Sequence, residues 1–261
     1  MCGIIGIVSN KPVSSNIIQS LKKLEYRGYD SSGIATISNG EIKEKKCIGR
    51  VENLEKILFK TPSLGILGIG HVRWATHGAP SNINAHPHSS DDVAVVHNGI
   101  IENSNILKKN LEKKGYKFKS ETDTEVITVL LTDFLKDFDL IEAINKTLEK
   151  LNGSFALGIL FKKYSDIVVG ARRGSPLAVG YGSNENYLGS DSYALKSMTN
   201  KITYLDDGDI CILSNNKIKF YNQKNIKINK KILTLSDDKY TSEKGDYKDF
   251  MSKEINEQEI T

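Results

Sequence analysis

Residues 1–10 read MCGIIGIVSN, in which an apolar run directly follows Cys2 and predicts a buried strand at the start of the chain. Six further runs of apolar and β-branched residues have the same character. They begin at Gly33, Ile66, Asp92, Ser154, Asp166 and Gly208. The sequence therefore predicts a core rich in β-structure, to which the first strand belongs.

Segments of helical periodicity lie between these runs, with Lys and Glu opposite their apolar faces. They cover residues 13–24, 103–114, 125–135 and 140–151. The strands cluster toward both ends of the chain and the helices are grouped between them, without strict βαβ alternation. This order favours an α+β layered sandwich over a doubly wound parallel sheet.

Length and composition describe a folded globular protein. The 261 residues suffice for one large domain or two small ones, at about 150 residues per domain. The hydrophobic share of 39% and the charged share of 26% are ordinary for such proteins. From Asp237 onward the chain becomes charged and loses its apolar period. We therefore expect one domain over residues 1–240 and a linker or tail over 241–261.

Charge and hydropathy exclude several classes of partner. The net charge is +4 without a basic block, so nucleic acid is not an expected partner. No apolar run approaches the ~18 residues of a membrane helix, and the N-terminus lacks the pattern of a signal peptide. We therefore expect a cytoplasmic protein without membrane contact. The three cysteines, Cys2, Cys47 and Cys211, are odd in number and widely spaced, which predicts free thiols.

All five histidines fall within a window of 27 residues that also contains Trp74, the only tryptophan. They are His71, His77, His86, His88 and His97. Three or four of these imidazoles could bind zinc. The loop around them holds few carboxylates to orient such ligands, and this favours structural histidines over a metal site.

Arg73 lies in the same window, in a chain whose 36 basic residues include only five arginines. A guanidinium presents a planar fork of donors that suits a carboxylate. Thr76 and His77 follow it closely. A carboxylate-binding role and an ordinary surface arginine are both compatible with this pattern.

The segment SETDTEVI, from Ser120, precedes an apolar helix. Thr122 and Glu125 have the spacing of a capping box, which predicts a helix N-terminus here. Asp123 would then lie in the first turn, where its carboxylate could accept hydrogen bonds from an ammonium group. Arg73 and Asp123 together would fit the two charged ends of an amino acid.

Cys2 would become the N-terminal residue if Met1 is removed, as is common before a small residue. It would then carry a thiol and a free α-amino group, and the amine can act as a general base for the thiol. A small buried residue at the start of a strand is the structural alternative.

Asn98 and Gly99 lie between two apolar runs. Such a pair is the strongest short signal for a type I′ hairpin turn. The same two residues could also direct the Asn98 amide and the Gly99 backbone N–H at a developing oxyanion, and both interpretations can hold at one strand end.

Eight motifs in this order resemble a known family: MCGIIGIV, YRGYDSSG, HVRWATHG, NAHPH, VVHNGIIEN, SETDTEV, RRGSPL and SDSYAL. The chain closely resembles the glutaminase domain of the glutamine–fructose-6-phosphate aminotransferases, which are class II glutamine amidotransferases. The resemblance runs from Cys2 to about Gln258. HVRWATHG and HNGIIEN separate it from the purine amidophosphoribosyltransferases and the asparagine synthetases.

The resemblance implies an N-terminal nucleophile hydrolase fold, a four-layer αββα sandwich of two antiparallel sheets, without a metal or other cofactor. It implies that Cys2 is the nucleophile that attacks the side-chain amide of L-glutamine. The α-amino group of the same residue would carry the proton, and Asn98 with Gly99 would form the oxyanion hole. Glutamate and ammonia would be the products.

The resemblance also implies a binding site for the substrate's α-groups. Arg73 would bind the α-carboxylate with help from Thr76 and His77, and Asp123 would bind the α-ammonium. The loop around Trp74 would close over glutamine and help to gate the ammonia.

Arg27 and Gly28 match a motif beside the nucleophile, which implies a supporting role around the site. RRGSPL and SDSYAL are interpreted as structural markers.

The family's second domain, a sugar-phosphate isomerase that accepts the ammonia, has no counterpart in these 261 residues. FMSKEINEQEIT, from Phe250, resembles the family's linker but has Asp249 and Glu259 where the family has His and Pro. We therefore expect glutaminase activity here, and glucosamine 6-phosphate synthesis only with an isomerase domain or chain as partner. The alternative function is a catalytically idle glutamine-binding module. For the oligomeric state, both a monomer and a homodimer are open.

Overall fold

The structure is a computed structural model that describes residues 2–235, Ser252 and Asn256. The predicted linker or tail at 241–261 lies outside the described residues, apart from those two positions. The boundary at residue 240 also stays a prediction. In the described part of the chain, no helix is long and apolar enough to cross a membrane.

Two antiparallel sheets contain all the strands of the described residues. The first sheet has the strand order β15-β11-β9-β10-β1-β4-β2-β3. Its strands are β1 (Gly3–Val8), β2 (Ser31–Ser38), β3 (Glu41–Ile48), β4 (Leu67–Arg73), β9 (Ala178–Tyr181), β10 (Asn186–Gly189), β11 (Lys201–Tyr204) and β15 (Leu233–Thr234). Because β1 lies between β4 and β10, the N-terminal strand is central.

The second sheet has the order β14-β13-β12-β8-β7-β6-β5. Its strands are β5 (His88–Ser89), β6 (Val93–Ile101), β7 (Gly153–Phe161), β8 (Tyr164–Arg173), β12 (Ile210–Leu213), β13 (Ile218–Tyr221) and β14 (Lys227–Ile228). Short β5 pairs with β6 only at Val95 and Ala94, so the remainder of that edge of β6 is open toward the loops.

Helices cover the outer face of each sheet. They are α1 (Ser14–Leu24), α2 (Val51–Lys60), α3 (Ser104–Lys113), α4 (Thr124–Phe134), α5 (Leu140–Lys150) and α6 (Ser192–Leu195). The first sheet packs through Ile5 and Ile7 on Ile17 and Leu21 of α1. The second sheet packs in the same way on α3, α4 and α5.

A third apolar cluster fills the space between the sheets, where Ile4 meets Val96 and Leu188. Ile4 therefore faces the opposite sheet while its neighbour Ile5 faces the helices, which explains why the first strand is apolar on both faces. The resulting α-β-β-α order of layers confirms the predicted α+β sandwich of two antiparallel sheets.

Candidate active site

Three strands bring the candidate catalytic residues together. In the first sheet, Gly3 pairs with Val72, so Cys2 lies beside Trp74 just beyond the end of β4. The Trp74 backbone N–H lies 3.4 Å from the Cys2 Sγ, and the sulfur lies 3.6 Å from the Trp74 carbonyl oxygen. From the second sheet, the Asn98 Oδ1 accepts a hydrogen bond from the Cys2 nitrogen at 3.2 Å.

The thiol of Cys2 is partly buried among these groups. Burial raises the pKa of the Cys2 thiol, and the hydrogen bond from the Trp74 backbone opposes this increase. The neutral thiol therefore needs a base to become a nucleophile. Met1 lies outside the described residues, so its removal and the free α-amino group stay predictions.

A small cavity beside Cys2 joins the candidate residues of the sequence. It is lined by Cys2, Arg73, Trp74, Thr76, His77, His86, His97, Gly99, Thr122, Asp123 and Thr124. Its volume of about 20 Å³ suffices for one water molecule and not for an amino acid. The cavity is open to solvent on one side, so a larger ligand would extend beyond it.

Asn98 has a free donor in this geometry. Its Oδ1 is occupied by the Cys2 nitrogen, while its Nδ2 is buried and has no hydrogen-bond partner among the described residues. A buried amide donor without a partner is costly in free energy, unless it meets an acceptor that arrives with a ligand. The amide is thus suited to stabilise negative charge that develops next to Cys2.

Gly99 lines the same cavity. Along an antiparallel strand the backbone groups alternate between the two edges. The Ile101 N–H donates to the Asp123 Oδ2 at 2.7 Å, and the His97 carbonyl accepts from His71 at 2.9 Å, so both lie on the open edge of β6. Gly99 lies between them in sequence, so the alternation predicts that its N–H is directed to that edge, away from β7.

The predicted hairpin at Asn98 and Gly99 is wrong. Both residues lie within β6 and pair with Ala156 and Phe155 of β7. Gly99 has φ +141°, and a Cβ there would lie 2.0 Å from the Ser154 carbonyl oxygen. The glycine therefore permits close packing of two extended strands, and this long-range pairing prevails over the local turn preference.

Arg73 ends β4 and is only 3% exposed. Its Nη2 donates to the carbonyl oxygens of His77 and Gly78, at 3.1 Å for Gly78. Its Nη1 is buried and has no hydrogen-bond partner among the described residues. Among the same residues, no carboxylate forms an ion pair with the guanidinium. A buried guanidinium in this state suits a carboxylate ligand. Thr76 and His77 lie at the rim, where the Thr76 Oγ1 and the His77 Nδ1 are 3.3 Å apart.

The predicted capping box before α4 is wrong. The helix begins at Thr124, and Asp123 is the residue before it and makes no side-chain cap. The Thr122 hydroxyl instead lies 2.9 Å from the His88 Nε2. The Glu125 carboxylate reaches back to the Ser120 N–H at 2.6 Å. Thr122 thus contacts a residue of another segment and Glu125 binds backbone further upstream than a capping box requires, while Asp123 faces the cavity.

Gly28 packs against the backbone of the site, whereas Arg27 does not reach it. A Cβ at Gly28 would lie 2.5 Å from the Arg73 carbonyl group and 2.7 Å from the Trp74 nitrogen. Only glycine therefore allows the backbone that holds the thiol to pass this close. Arg27 forms an ion pair of 3.0 Å with Asp191 and does not line the cavity.

Two motifs outside the cavity have structural contacts. In RRGSPL, Arg173 donates to the carbonyl oxygens of Leu151 and Leu148, at 2.7 and 3.2 Å, where α5 ends. In SDSYAL, the Asp191 side chain accepts from the Ala194 N–H at 2.9 Å and caps α6. These contacts agree with the interpretation of both motifs as structural markers.

Sequence reasoning missed Asp30, which stabilises the backbone that follows Arg73. Its carboxylate accepts the Ala75 N–H and lies 2.9 Å from the Ser31 hydroxyl. Its own N–H donates to the Arg73 carbonyl at 3.2 Å. Asp30 belongs to the motif YRGYDSSG, but only the contact between β2 and β4 brings it to the site.

Four of the five histidines form a buried layer at the cavity, and His86 and His97 are part of its lining. The rings of His71 and His86 stack at 4.2 Å, and His88 meets His86 edge to face. The Thr124 hydroxyl lies 2.8 Å from the His86 Nε2 and 2.9 Å from the His97 Nδ1. Burial lowers the pKa of all four, in the case of His71 to about 3. The layer is therefore neutral and donates or accepts hydrogen bonds without carrying charge.

The zinc hypothesis gains no support from this arrangement. Across the described residues, no three His, Cys, Asp or Glu side chains are arranged to hold a metal ion. The rings of His86 and His97 each direct one nitrogen to Thr124.

Comparisons with known proteins agree with the geometry. A family described as the glutamine amidotransferase domain matches residues 71–197. The glutamine–fructose-6-phosphate aminotransferase (isomerizing) of Zymomonas mobilis is 48% identical over 261 residues, which is 100% of this chain and 43% of the relative. The enzyme of the same name from Clostridium acetobutylicum is 47% identical, over 99% of this chain and 43% of the relative. The chain thus spans less than half the length of these curated relatives.

Solved structures give the same fold. The glutamine phosphoribosylpyrophosphate amidotransferase of B. subtilis, complexed with ADP and GMP, is 25% identical with a TM-score of 0.75. That match covers 85% of this chain and 49% of the other. A glutamine aminotransferase class-II domain protein from Silicibacter pomeroyi is 13% identical with a TM-score of 0.60, over 85% of this chain and 99% of the other, and supports the fold alone. Residues 71–197 thus match the glutamine amidotransferase domain family, the chain is similar over its full length to the glutamine–fructose-6-phosphate aminotransferases, and it has the N-terminal nucleophile hydrolase fold.

Proposed function

We propose that this chain hydrolyses L-glutamine to L-glutamate and ammonia through a thioester on Cys2. One observation carries the proposal: the thiol lies beside an unpartnered buried amide donor, the Asn98 Nδ2, in a cavity lined by Arg73 and Asp123. These groups match an amino acid with a side-chain carbonyl. The nucleophile and the oxyanion donor suit the carbonyl group, and the two opposite charges suit the α-carboxylate and the α-ammonium.

The reaction begins when the Cys2 sulfur attacks the side-chain carbon of glutamine and the thiol proton moves to the α-amino group of Cys2. Asn98 and the Gly99 N–H stabilise the oxyanion of the tetrahedral intermediate. The C–N bond then breaks, and the α-ammonium returns the proton to the leaving nitrogen, which departs as ammonia. Water attacks the thioester with the amine as its base, which releases glutamate and restores the thiol.

The test is glutamate and ammonia release from L-glutamine by tag-free protein whose intact mass has been checked for loss of Met1. Turnover at equal amounts of both products supports the proposal. Processed protein that binds glutamine without turnover would contradict it, and would favour the idle glutamine-binding module instead.

The fate of the ammonia is part of the proposal. The relatives are named for amination of fructose 6-phosphate and are more than twice as long as this chain. We propose that a sugar-phosphate isomerase domain or chain receives the ammonia and forms glucosamine 6-phosphate. We place the activity in the cytoplasm, where a reducing environment keeps Cys2 a thiol. Sedimentation would decide between a monomer and a homodimer.

Arg73→Lys keeps the charge but loses the planar fork. We expect glutamine binding to weaken by about 1 to 3 kcal/mol, which raises KM roughly 5- to 150-fold. Steady-state kinetics on L-glutamine measure the effect. Arg50→Lys is the matched control, because the Arg50 guanidinium is exposed and lies outside the cavity lining. A wild-type KM in the Arg73 variant would reject this residue as the carboxylate ligand.

Trp74 should report closure of the loop. Its side chain is 47% exposed and meets the Tyr29 ring edge to face at 5.8 Å. We expect its fluorescence to change when glutamine or an alkylating glutamine analogue binds, because Trp74 lines the cavity and closure of its loop would change the surroundings of the ring. Trp74→Phe removes the only tryptophan and should abolish the signal. An unchanged wild-type spectrum at saturation would contradict loop movement.

A further inference from the structure

Asn84 is buried between the two segments that carry the proposed α-group ligands. It is 4% exposed, and its side chain uses both ends of its amide. The Nδ2 donates to the Ala79 carbonyl at 2.9 Å and to the Glu121 Oε2 at 2.9 Å. The Oδ1 accepts from the Glu121 backbone N–H at 3.0 Å. Asn84 and Glu121 thus form a reciprocal pair, which we call the Asn84–Glu121 clamp.

The clamp lies directly against Gly78, which has φ +74°. A Cβ at Gly78 would lie 2.6 Å from the Asn84 Nδ2 and 2.9 Å from the Glu121 Cβ. No other residue allows the loop to pack this closely on the clamp, because both the space and the positive φ demand glycine. The position of the loop backbone is therefore determined by contact with Asn84 and Glu121.

The clamp is connected through the backbone to Arg73 on one side and to Asp123 on the other. On one side, the Gly78 carbonyl accepts from the Arg73 guanidinium at 3.1 Å and orients it. On the other side, Glu121 is two residues from Asp123, whose carboxylate accepts from Ile101. The clamp therefore links the backbone that orients the cation to the backbone that carries the anion.

We propose that Asn84 and Glu121 are positioning residues that set the separation between Arg73 and Asp123, and so select substrates with a free α-carboxylate and a free α-ammonium. This inference rests on the proposed function, in which those two side chains bind the α-groups of glutamine. Neither clamp residue lines the cavity, so both act through their neighbours.

The decisive variant is Asn84→Asp, which keeps the shape but places a carboxylate against the Glu121 carboxylate and the Ala79 carbonyl. Repulsion should move the loop away from Glu121. We expect KM for L-glutamine to rise at least tenfold while kcat stays within threefold. Asn82→Asp makes the same charge change at an exposed position of the same loop and is the matched control, with expected wild-type kinetics.

Two reagents that modify Cys2 distinguish a loss of substrate positioning from a general disruption of the active site. Inactivation by 6-diazo-5-oxo-L-norleucine needs the α-groups, so its kinact/KI should fall at least tenfold in Asn84→Asp. Alkylation of Cys2 by iodoacetamide, followed by peptide mass spectrometry, does not need them and should stay within twofold of wild type. A merely structural role would change both rates together.

A second substitution at Glu121 tests whether the KM of Asn84→Asp can be recovered. Glu121→Gln keeps an acceptor for the Asn84 Nδ2 and should have a KM within threefold of wild type. In the Asn84→Asp/Glu121→Gln double variant, the new amide can donate to the new carboxylate, and at least half of the logarithmic increase in KM should be recovered. If Asn84→Asp does not fold, as judged by its thermal transition, Asn84→Ser replaces it and should raise KM at least fivefold.

Two results would overturn the inference: an Asn84→Asp enzyme with wild-type KM, or a parallel loss of iodoacetamide reactivity and glutamine turnover. Failure of the proposed function has a different signature. In that case the wild-type Cys2 reacts with iodoacetamide, yet neither hydrolyses glutamine nor reacts with the diazo analogue, and the inference falls with it.

Discussion

Cys2→Ala is expected to slow ammonia release from L-glutamine by about a thousandfold or more, because it removes the atom that forms the thioester. The other two cysteines cannot replace it. Cys47 is packed against α2 and Cys211 lies between the two sheets, so neither reaches the cavity. The residual rate would reflect only the oxyanion donors and the orientation of bound substrate.

A coupled glutamate assay on mass-checked protein measures this loss. Calorimetry should find that the Cys2→Ala protein still binds glutamine, because Arg73 and Asp123 are unchanged. Cys47→Ala is the matched control and should retain wild-type kcat, although loss of a buried thiol can lower stability. Full activity in Cys2→Ala would refute the thioester mechanism.

Acid is expected to destabilise this protein strongly, because four buried histidines cannot easily accept protons in the folded state. Burial holds the pKa of His71, His86, His88 and His97 below the ordinary value of 6.5. Between the folded and unfolded pKa values, the unfolded chain binds a proton at each site and the folded chain does not. Stability is therefore complete well above pH 6.5 and is lost as the pH falls toward the folded values.

Each such histidine lowers the free energy of unfolding by about 1.4 kcal/mol per pH unit well below 6.5. Because the unfolded chain is only half protonated at pH 6.5, each histidine contributes about 1 kcal/mol between pH 6.5 and pH 5.5, so the layer contributes about 3 to 4 kcal/mol, a large share of the stability of a typical domain. Urea unfolding at pH 7.5, 6.5 and 5.5 measures this difference. The loss expected between the first two values is about a third of the loss expected between the last two.

His88→Gln provides the internal comparison. The glutamine amide can still meet the Thr122 hydroxyl, which lies 2.9 Å from the His88 Nε2, but it does not titrate. The slope of stability against pH below 6.5 should fall by about a quarter. Equal stability of the wild type at pH 7.5 and pH 5.5 would show that the layer titrates as exposed imidazoles do.

The long apolar runs predicted the central strands well. Cores such as IIGIV in β1 and FALGILF in β7 are buried on both faces, so their composition alone identifies them. The prediction missed β3, whose sequence EIKEKKCI is mostly charged because it is an edge strand with one exposed face. It also missed α2, although Val51, Leu54 and Leu58 have helical spacing and are buried.

Local signals failed where buried long-range partners compete with them. Asn98 and Gly99 have a hairpin sequence, yet pairing with β7 keeps them extended. Thr122 and Glu125 have the spacing of a capping box, yet Thr122 contacts His88 instead. In both cases a partner distant in sequence satisfies the backbone or hydroxyl group, and no window of neighbouring residues contains that partner.

The sequence by itself determined which chemical groups are present and which secondary structure carries most of them: a thiol at Cys2, a guanidinium at Arg73, and carboxylates ahead of an apolar helix. Only the tertiary structure decided their mutual geometry. Cys2 and Asn98 are 96 residues apart and meet because β1 and β6 belong to facing sheets. Asn84 and Glu121, 37 residues apart, meet because the loop after β4 packs on the segment before α4. Such distances depend on the packing of whole layers. The hydrophobic effect that buries apolar faces is non-directional, so the relative position of two layers is fixed only by the close packing of their side chains.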